Sequence, residues 1–280
     1  MAKQVYIPWK VYIALAVLGL VGSAGVLPYL RQLLGPAAEA LEPSAPFFLI
    51  ALIQGFVLST LLSLLGLLLA SHTGMGVPVF ARRLQPVIRG VSYEQLYVNE
   101  YSPSEDPAER GLARKSVQEV IMPVVLGLTV GIILVIVDYF VFAPSLTKSV
   151  ADLSLRPEWW RGFLASFYGG IVEEILLRLF FLNLILLILM KITRRERRRP
   201  SERQVWTAII LSTLLFAAGH LPTVAAAGEL SDLMIVRVMV LNSAAGIVFG
   251  LIFTRRGLLP AMASHFSADI VLHVIAAALL

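Results

Sequence analysis

The stretch YGGIVEEILLRLFF, residues 168–181, decides how this chain folds. It carries two adjacent glutamates, Glu173 and Glu174, and an arginine, Arg178, inside a run that is otherwise apolar enough to span a membrane. A charged side chain at the centre of a bilayer costs roughly 2.5–3.5 kcal/mol on the insertion scale. Ionisable groups in such a place are therefore retained for pairing or for function.

The composition is that of a multi-pass integral membrane protein. The 280 residues are 58% hydrophobic and only 15% charged, with a mean hydropathy of +0.82. Crossing about 30 Å of hydrocarbon takes roughly 20 apolar residues. Runs of that length occur at 11–30, 46–70, 119–143, 162–190, 205–224, 234–253 and 257–280. We predict an all-α, polytopic transmembrane helical bundle of about seven to eight spans, the eighth arising if the overlong run 162–190 breaks at Gly169 and Gly170.

The distribution of positive charge predicts the orientation. Most of the 23 lysines and arginines fall in alternate connecting segments, which the positive-inside rule assigns to the cytoplasm. The N-terminus is then cytoplasmic, the first run is a retained signal anchor and, with seven spans, the C-terminus lies outside. The Arg-rich segment 191–203 is predicted to face lipid headgroups, so no nucleic-acid partner is expected.

Two regions are predicted along the chain. Residues 1–118 hold the N-terminal spans and a polar, turn-rich cytoplasmic loop at 71–118, which is too short to bury a core alone. Residues 119–280 form a core that carries the polar intramembrane groups. The absence of cysteine excludes disulfides, thiolate metal ligands and a cysteine nucleophile.

The charges of the opening stretch do not balance locally. Residues four apart share a helical face, whereas neighbours point about 100° apart, so Glu174 pairs with Arg178 and Glu173 does not. Glu173 is left without a local partner. A carboxylate in a poorly solvated site is suited to act as a general base near neutral pH, and Glu173 is the candidate.

Few polar groups in the other spans can join Glu173. His220 ends FAAGH in the fifth run, and the seventh run contains MASHFSADIVLH, in which His265 and Asp269 share a face and His273 follows. At 1.5 Å per helical residue, His220, His265 and Asp269 lie roughly 22, 12 and 18 Å from the inner boundary. Glu173 lies between about 16 and 25 Å, so the groups can converge.

These residues fall into three ordered motifs that resemble a known family. The stretches EEILLR, FAAGH and HFSAD are similar to the EExxxR, FxxxH and HxxxN/D motifs of the CPBP family (CAAX proteases and bacteriocin-processing enzymes), also called the Abi family, which includes the type II CAAX prenyl proteases. The resemblance covers about residues 160–275, and nothing in residues 1–118 is diagnostic. The motif positions filled are Glu173, Glu174, Arg178, Phe216, His220, His265 and Asp269.

The resemblance implies an all-helical intramembrane endopeptidase whose substrate is a membrane-anchored, prenylated or unprenylated, protein or peptide. Glu173 and His220 would activate a water, and His265 with Asp269 would hold the scissile carbonyl oxygen. Glu174, Arg178 and Phe216 would support them. Prenyl proteases of the family carry Asn at the last position, whereas an ionised Asp269 can only accept hydrogen bonds, so it is predicted to orient His265 by accepting from its ring N–H.

Alternative interpretations use the same residues. Glu173, His220 and His265 are a ligand set of the kind that holds catalytic zinc or another divalent metal, although a metal-free reaction without a cofactor is favoured because Glu173 cannot easily be both a tight ligand and a free base. A catalytically silent protein, an immunity factor or a transporter on the same fold is the competing function. A transporter is expected to show two repeated halves with paired broken helices, and the sequence shows no such repeat.

Three further polar residues lie in spans outside the motifs. Asp138 is expected at the outer interface. Arg237 is expected to extend towards the headgroups and to pair with Asp232 or Glu229. Asn242 either bonds to another helix or borders the site.

Overall fold

The computed structural model describes residues 7–35, 46–77, 87–88, 91–92, 112–146, 158–193, 200–227 and 230–279. Seven helices in these ranges are long and apolar enough to cross a membrane, which confirms the all-α, multi-pass fold. These spans, numbered in chain order, are Trp9–Leu34, Leu49–Thr73, Glu119–Ser145, Trp159–Ile192, Glu202–Ala226, Asp232–Arg256 and Leu258–Leu279.

Several spans combine more than one helical segment. The α-helices are Trp9–Gly25, Leu27–Leu34, Pro46–Thr73, Leu112–Val137, Trp159–Phe167, Asn183–Ile192, Glu202–Gly219, Leu221–Ala227, Asp232–Arg256, Leu258–Asp269 and Ala276–Leu279. The π-helical segments are Asp138–Phe142, Tyr168–Glu173, Ile175–Leu182 and Ile270–Ile275, and Ala143–Ser145 is a 3₁₀ turn. Within the predicted loop 71–118, Val87–Ile88 pairs with Val91–Ser92 in antiparallel register; most of that loop and the arginines at 194–199 lie outside the described residues.

The fourth span does not break, so the described residues contain seven spans. Helical structure continues through Gly169 and Gly170, where the backbone changes from α- to π-helical hydrogen bonding. The two glycines allow close approach instead. A Cβ on Gly169 would overlap Asp269 Oδ2, and one on Gly170 would lie 2.8 Å from Phe266 Cβ, so both bring the seventh span against the fourth.

The fourth span is the centre of the bundle. It packs against the first, second, fifth and seventh spans, while the third packs along the seventh and the sixth lies between the fifth and the seventh. Buried side chains from six of the spans form one apolar core around it, with Ile175, Leu179 and Leu182 fully buried. Since the first span packs on the fourth, residues before 119 help to hold the polar segment in place. The division at residue 118 stays a prediction.

An ion pair joins the third and sixth spans. Arg237 donates from Nε to Asp138 Oδ1 (2.5 Å) and from Nη2 to Oδ2 (2.7 Å), a bidentate geometry. The predicted pairing of Arg237 with Asp232 or Glu229 is therefore wrong for Asp232, and Glu229 lies outside the described residues. Asp138, which is 99 positions away in the sequence, pairs with the guanidinium because the third and sixth spans meet there. Asn242 donates to the Val238 carbonyl of its own helix (2.9 Å).

Candidate active site

The motif residues lie on three neighbouring spans. Glu174 is the single α-helical residue between the π-helical segments Tyr168–Glu173 and Ile175–Leu182 of the fourth span. His265 lies in the helix Leu258–Asp269 of the seventh span, and His220 is the residue that ends the helix Glu202–Gly219. π-Helical turns occur frequently at functional sites, because they rotate side chains out of α-helical register.

Glu174 is the central acceptor of the site. Its side chain is fully buried, as is that of Arg178, and its Oε2 lies 3.6 Å from Arg178 Nε, so the predicted pair is present. Its Oε1 accepts from His265 Nδ1 at 2.9 Å. Because the arginine keeps its charge, Glu174 is an ionised acceptor and the Nδ1 proton of His265 points to it. Glu174, rather than Asp269, therefore fixes the orientation of this ring.

The other ring nitrogen of His265 faces two carboxylates. Glu173 Oε2 lies 3.7 Å from Nε2 and Asp269 Oδ1 lies 3.6 Å from it, both beyond hydrogen-bond distance. The side chain of Glu173 is 20% exposed, against 0% for its neighbour Glu174. Glu173 thus has a free, accessible carboxylate beside a fixed imidazole, which is the arrangement a general base needs.

The π-helical turns explain why both glutamates reach one histidine. In an α-helix they would point about 100° apart, so α-helical geometry predicts that Glu173 does not share a partner with Glu174. Hydrogen bonds from i to i+5 widen the turn and reduce the rotation per residue. Glu174 therefore contacts Nδ1 of His265 while Glu173 lies near Nε2 of the same ring.

Aromatic rings enclose the imidazole and the guanidinium. Phe249 stacks on His265 with 4.4 Å between ring centroids, and Phe216 meets His265 edge-on at 5.6 Å. Arg178 Cζ lies 5.4 Å from the Phe216 centroid and 6.0 Å from that of Phe249, and its Nη2 donates to the Gly246 carbonyl (3.2 Å). These contacts partly satisfy the cation. Sequence reasoning missed Phe249, since a phenylalanine in an apolar span carries no signal of its own.

His220 is joined to this cluster through Phe216. Its ring lies 4.7 Å from the Phe216 ring, and its Nδ1 is 2.9 Å from the Phe216 carbonyl oxygen. A carbonyl can only accept, so Nδ1 carries the proton and Nε2 carries a lone pair. His220 is partly exposed. His273 stacks edge-on against Tyr29 of the first span, with 5.6 Å between ring centroids.

The side chains of the site are not placed as a metal centre. Among the residues that the structure describes, no three His, Asp or Glu side chains are grouped so as to hold a metal ion. Glu173 lies beside His265, whereas His220 contacts the ring of Phe216. As placed, Glu173, His220 and His265 therefore do not fit a three-ligand centre.

Comparison with known proteins identifies the segment that carries the site. Residues 155–271 match the family model described as Type II CAAX prenyl endopeptidase Rce1-like. The match contains all three motifs and, for this segment, confirms the predicted CAAX protease-like family. It supports a CAAX-type intramembrane endopeptidase, with the bilayer as its surroundings and a protein as its substrate. No curated protein and no solved structure matches the chain significantly.

Proposed function

We propose that this protein hydrolyses a peptide bond of a membrane-anchored protein or peptide, with Glu173 as the general base. The observation that carries the proposal is the contrast between two adjacent glutamates. Glu174 is fully buried, hydrogen-bonded to His265 and ion-paired with Arg178 at 3.6 Å, whereas Glu173 is accessible and makes no hydrogen bond with its neighbour His265. One glutamate is built into the structure, and the other is free to exchange a proton with a water.

In the first step, Glu173 and His220 activate water. The carboxylate of Glu173 takes one proton, while Nε2 of His220, which holds a lone pair because Nδ1 donates to Phe216, accepts a hydrogen bond from the same water. The water oxygen attacks the carbonyl carbon of the substrate. A carbon–oxygen bond forms, and the carbonyl electron pair moves to the carbonyl oxygen.

In the second step, the tetrahedral intermediate collapses. His265 faces the intermediate through Nε2, held in place by Glu174 behind it and Phe249 against its face. A proton on Nε2 would donate to the developing oxyanion, which lowers the barrier. As the carbon–nitrogen bond breaks, Glu173 returns its proton to the leaving amine. Asp269 lies on the same side of the ring, 3.6 Å from Nε2, and stabilises the positive charge that His265 carries when both of its ring nitrogens are protonated.

The reaction is proposed to need no metal and no cofactor. Glu173 is then a free base, and the three groups that would be ligands act separately on water and oxyanion. Activity in isolated membranes should therefore persist after incubation with a strong chelator of divalent cations. Loss of activity that zinc or another divalent ion restores would replace this mechanism with metal-assisted hydrolysis.

The test compares peptide termini in membranes of cells that express wild type, Glu173→Gln or Glu202→Gln at matched levels. Glu202 is exposed at the first turn of the fifth span, so its variant controls for the substitution itself. We expect new termini with wild type and Glu202→Gln, and none with Glu173→Gln. Identical profiles in all three would favour a catalytically silent, immunity or transport protein on this fold.

The substrate is proposed to reach the site from the membrane. The new termini identify it directly, because each cleaved protein is recovered with its sequence. We expect the cleaved proteins to be membrane-anchored, and the mass of the mapped peptides reports whether a prenyl group is attached. Cleavage confined to soluble proteins without an anchor would contradict this assignment.

A further inference from the structure

The proposed reaction leaves His265 as the donor to the oxyanion. The oxygen of a tetrahedral intermediate becomes negative, and preorganised donors are the main way in which proteins stabilise it. Next to Nε2 of His265, however, lie the carboxylates of Glu173, at 3.7 Å, and Asp269, at 3.6 Å, which accept when ionised. Glu173 becomes neutral when it takes the proton of the water, but an ionised Asp269 beside the developing oxyanion opposes the reaction unless a further donor offsets it.

Tyr168 lies one π-helical turn before the base. It is the first residue of the π-helical segment Tyr168–Glu173, and Glu173 is the last. Hydrogen bonding in a π-helix links residues five apart, so these two side chains share a face. Because Cβ atoms tilt towards the N-terminus of a helix, the Glu173 side chain leans back over the turn that carries Tyr168.

The neighbouring residue shows that this turn borders the reaction centre. A Cβ on Gly169 would overlap Asp269 Oδ2 and would lie 3.3 Å from His265 Nε2. The backbone next to Tyr168 thus lies against the carboxylate and the imidazole. The Tyr168 side chain is only partly buried, and a phenol remains a neutral donor at physiological pH.

We propose that Tyr168 is a catalytic residue whose phenol O–H donates a hydrogen bond to the scissile carbonyl oxygen as negative charge develops. This role rests on the proposed peptidase function. No proton is transferred: the phenol keeps its hydrogen, the oxyanion accepts the bond, and the bond is released when the carbon–nitrogen bond breaks. Together with Nε2–H of His265, it forms a two-donor site that Asp269 cannot complete.

Tyr29 is a second tyrosine close to the seventh span, and it is the alternative donor. Its ring stacks edge-on with His273, which follows Asp269 by four residues. Because His273 follows His265 by eight residues, this contact places Tyr29, in the short helix Leu27–Leu34, about two helical turns along the seventh span from His265. Tyr168 is favoured because it is on the same helix as the base and directly precedes the glycine that contacts Asp269.

The experiment uses the full-length protein in lipid vesicles and a fluorogenic peptide that spans one of the termini mapped with the wild type. Rates are compared for wild type, Glu173→Gln, Tyr168→Phe, Tyr29→Phe and Tyr139→Phe. Tyr139 is exposed near the outer end of the third span, so its variant is the matched control. We expect Tyr168→Phe to lower kcat by roughly 10²-fold or more, with KM within about threefold of wild type because the bond strengthens only in the transition state.

A second arm tests the chemistry of the bond. An amide at position 269 can donate a hydrogen bond to the oxyanion. In an Asp269→Asn background, Tyr168→Phe should therefore lower kcat by only about tenfold instead of 10²-fold. The acid limb of the kcat–pH profile should keep its position in Tyr168→Phe, because the phenol acts on the substrate oxygen.

Several outcomes overturn the role of Tyr168. The first two are a wild-type kcat in Tyr168→Phe and a change in that variant that is confined to KM. The third is a shift of the acid limb of the kcat–pH profile in Tyr168→Phe, which would mean that the phenol changes the protonation of Glu173. The fourth is a larger loss of kcat in Tyr29→Phe than in Tyr168→Phe. Thermal unfolding of each variant in the same vesicles separates misfolding from catalysis. If wild type and Glu173→Gln cleave equally, the peptidase function falls and Tyr168 loses its role with it.

Discussion

The substitution Glu174→Gln separates the structural glutamate from the catalytic one. Glutamine keeps an oxygen that can accept from His265 Nδ1, so the shape and one hydrogen bond survive. The negative charge is lost, however, and the fully buried Arg178 keeps only the Gly246 carbonyl and two ring faces. We expect loss of both stability and activity, whereas Glu173→Gln, with its accessible side chain, should lose activity alone.

The expected magnitude follows from the burial of the pair. Removing one partner of a buried ion pair costs roughly 3–5 kcal/mol, because the other charge is left uncompensated. For a chain of this size, 1 kcal/mol corresponds to about 2–4 °C in Tm, so Glu174→Gln should unfold roughly 10 °C below wild type. Removing the stranded cation as well, in Glu174→Gln/Arg178→Met, should recover most of this loss.

The assay is thermal unfolding in one detergent, followed by intrinsic fluorescence from the four tryptophans, with peptide cleavage measured on the same samples. The double variant should unfold near the wild-type temperature and still cleave slowly, since His265 no longer has a charged group to orient it. Wild-type Tm and rate in Glu174→Gln would refute the reasoning. So would a double variant that is less stable than the single one.

Three further predictions concern the bundle. Arg237→Gln should lower Tm by several degrees because it breaks two charged hydrogen bonds that are worth roughly 1.5–3 kcal/mol each; thermal unfolding checks this, and failure of the exchange Asp138→Arg/Arg237→Asp to recover any stability would count against the pairing. Gly127→Ala should destabilise by about 1–3 kcal/mol, because its Cβ would overlap the Ser264 carbonyl oxygen where the third and seventh spans meet; Gly219→Ala, where a Cβ meets nothing within 4 Å, is the control and should lose much less by the same measurement. The chain contains no cysteine, so a single cysteine can be introduced at Ala2 or at Leu280 and labelled with an impermeant maleimide in intact cells. The cysteine at position 2 should resist labelling, and the one at position 280 should be labelled. The reverse pattern would contradict the predicted cytoplasmic N-terminus.

Much of the fold and of the candidate site could be predicted from local signals. Apolar runs of about 20 residues locate the spans, since the hydrocarbon thickness sets their length. The i, i+4 spacing of Glu174 and Arg178 predicts their ion pair, because that spacing is a property of one helix. The order of the three motifs predicts the family that residues 155–271 match.

Contacts between spans could not be predicted in this way. The bond between Glu174 and His265 joins residues 91 apart, and that between Asp138 and Arg237 joins residues 99 apart. Which faces meet depends on the helix register, and the π-helical turns at Tyr168–Glu173 and Ile175–Leu182 change the register in the middle of the site.

By itself, the sequence determined the positions of the apolar runs, the polar residues within them and the pairing of Arg178, because all three depend on hydrophobicity and on spacing along one helix. Only the tertiary structure decided that Glu174 orients His265, that Phe249 covers its ring and that Glu173 remains accessible. The physical reason is that each depends on how separate spans pack: the fourth approaches the seventh closely at Gly169 and Gly170, and the sixth brings Phe249 against His265. Two glycines in a row are compatible with a break in the helix or with close packing, and here the seventh span packs against both glycines while the helix continues.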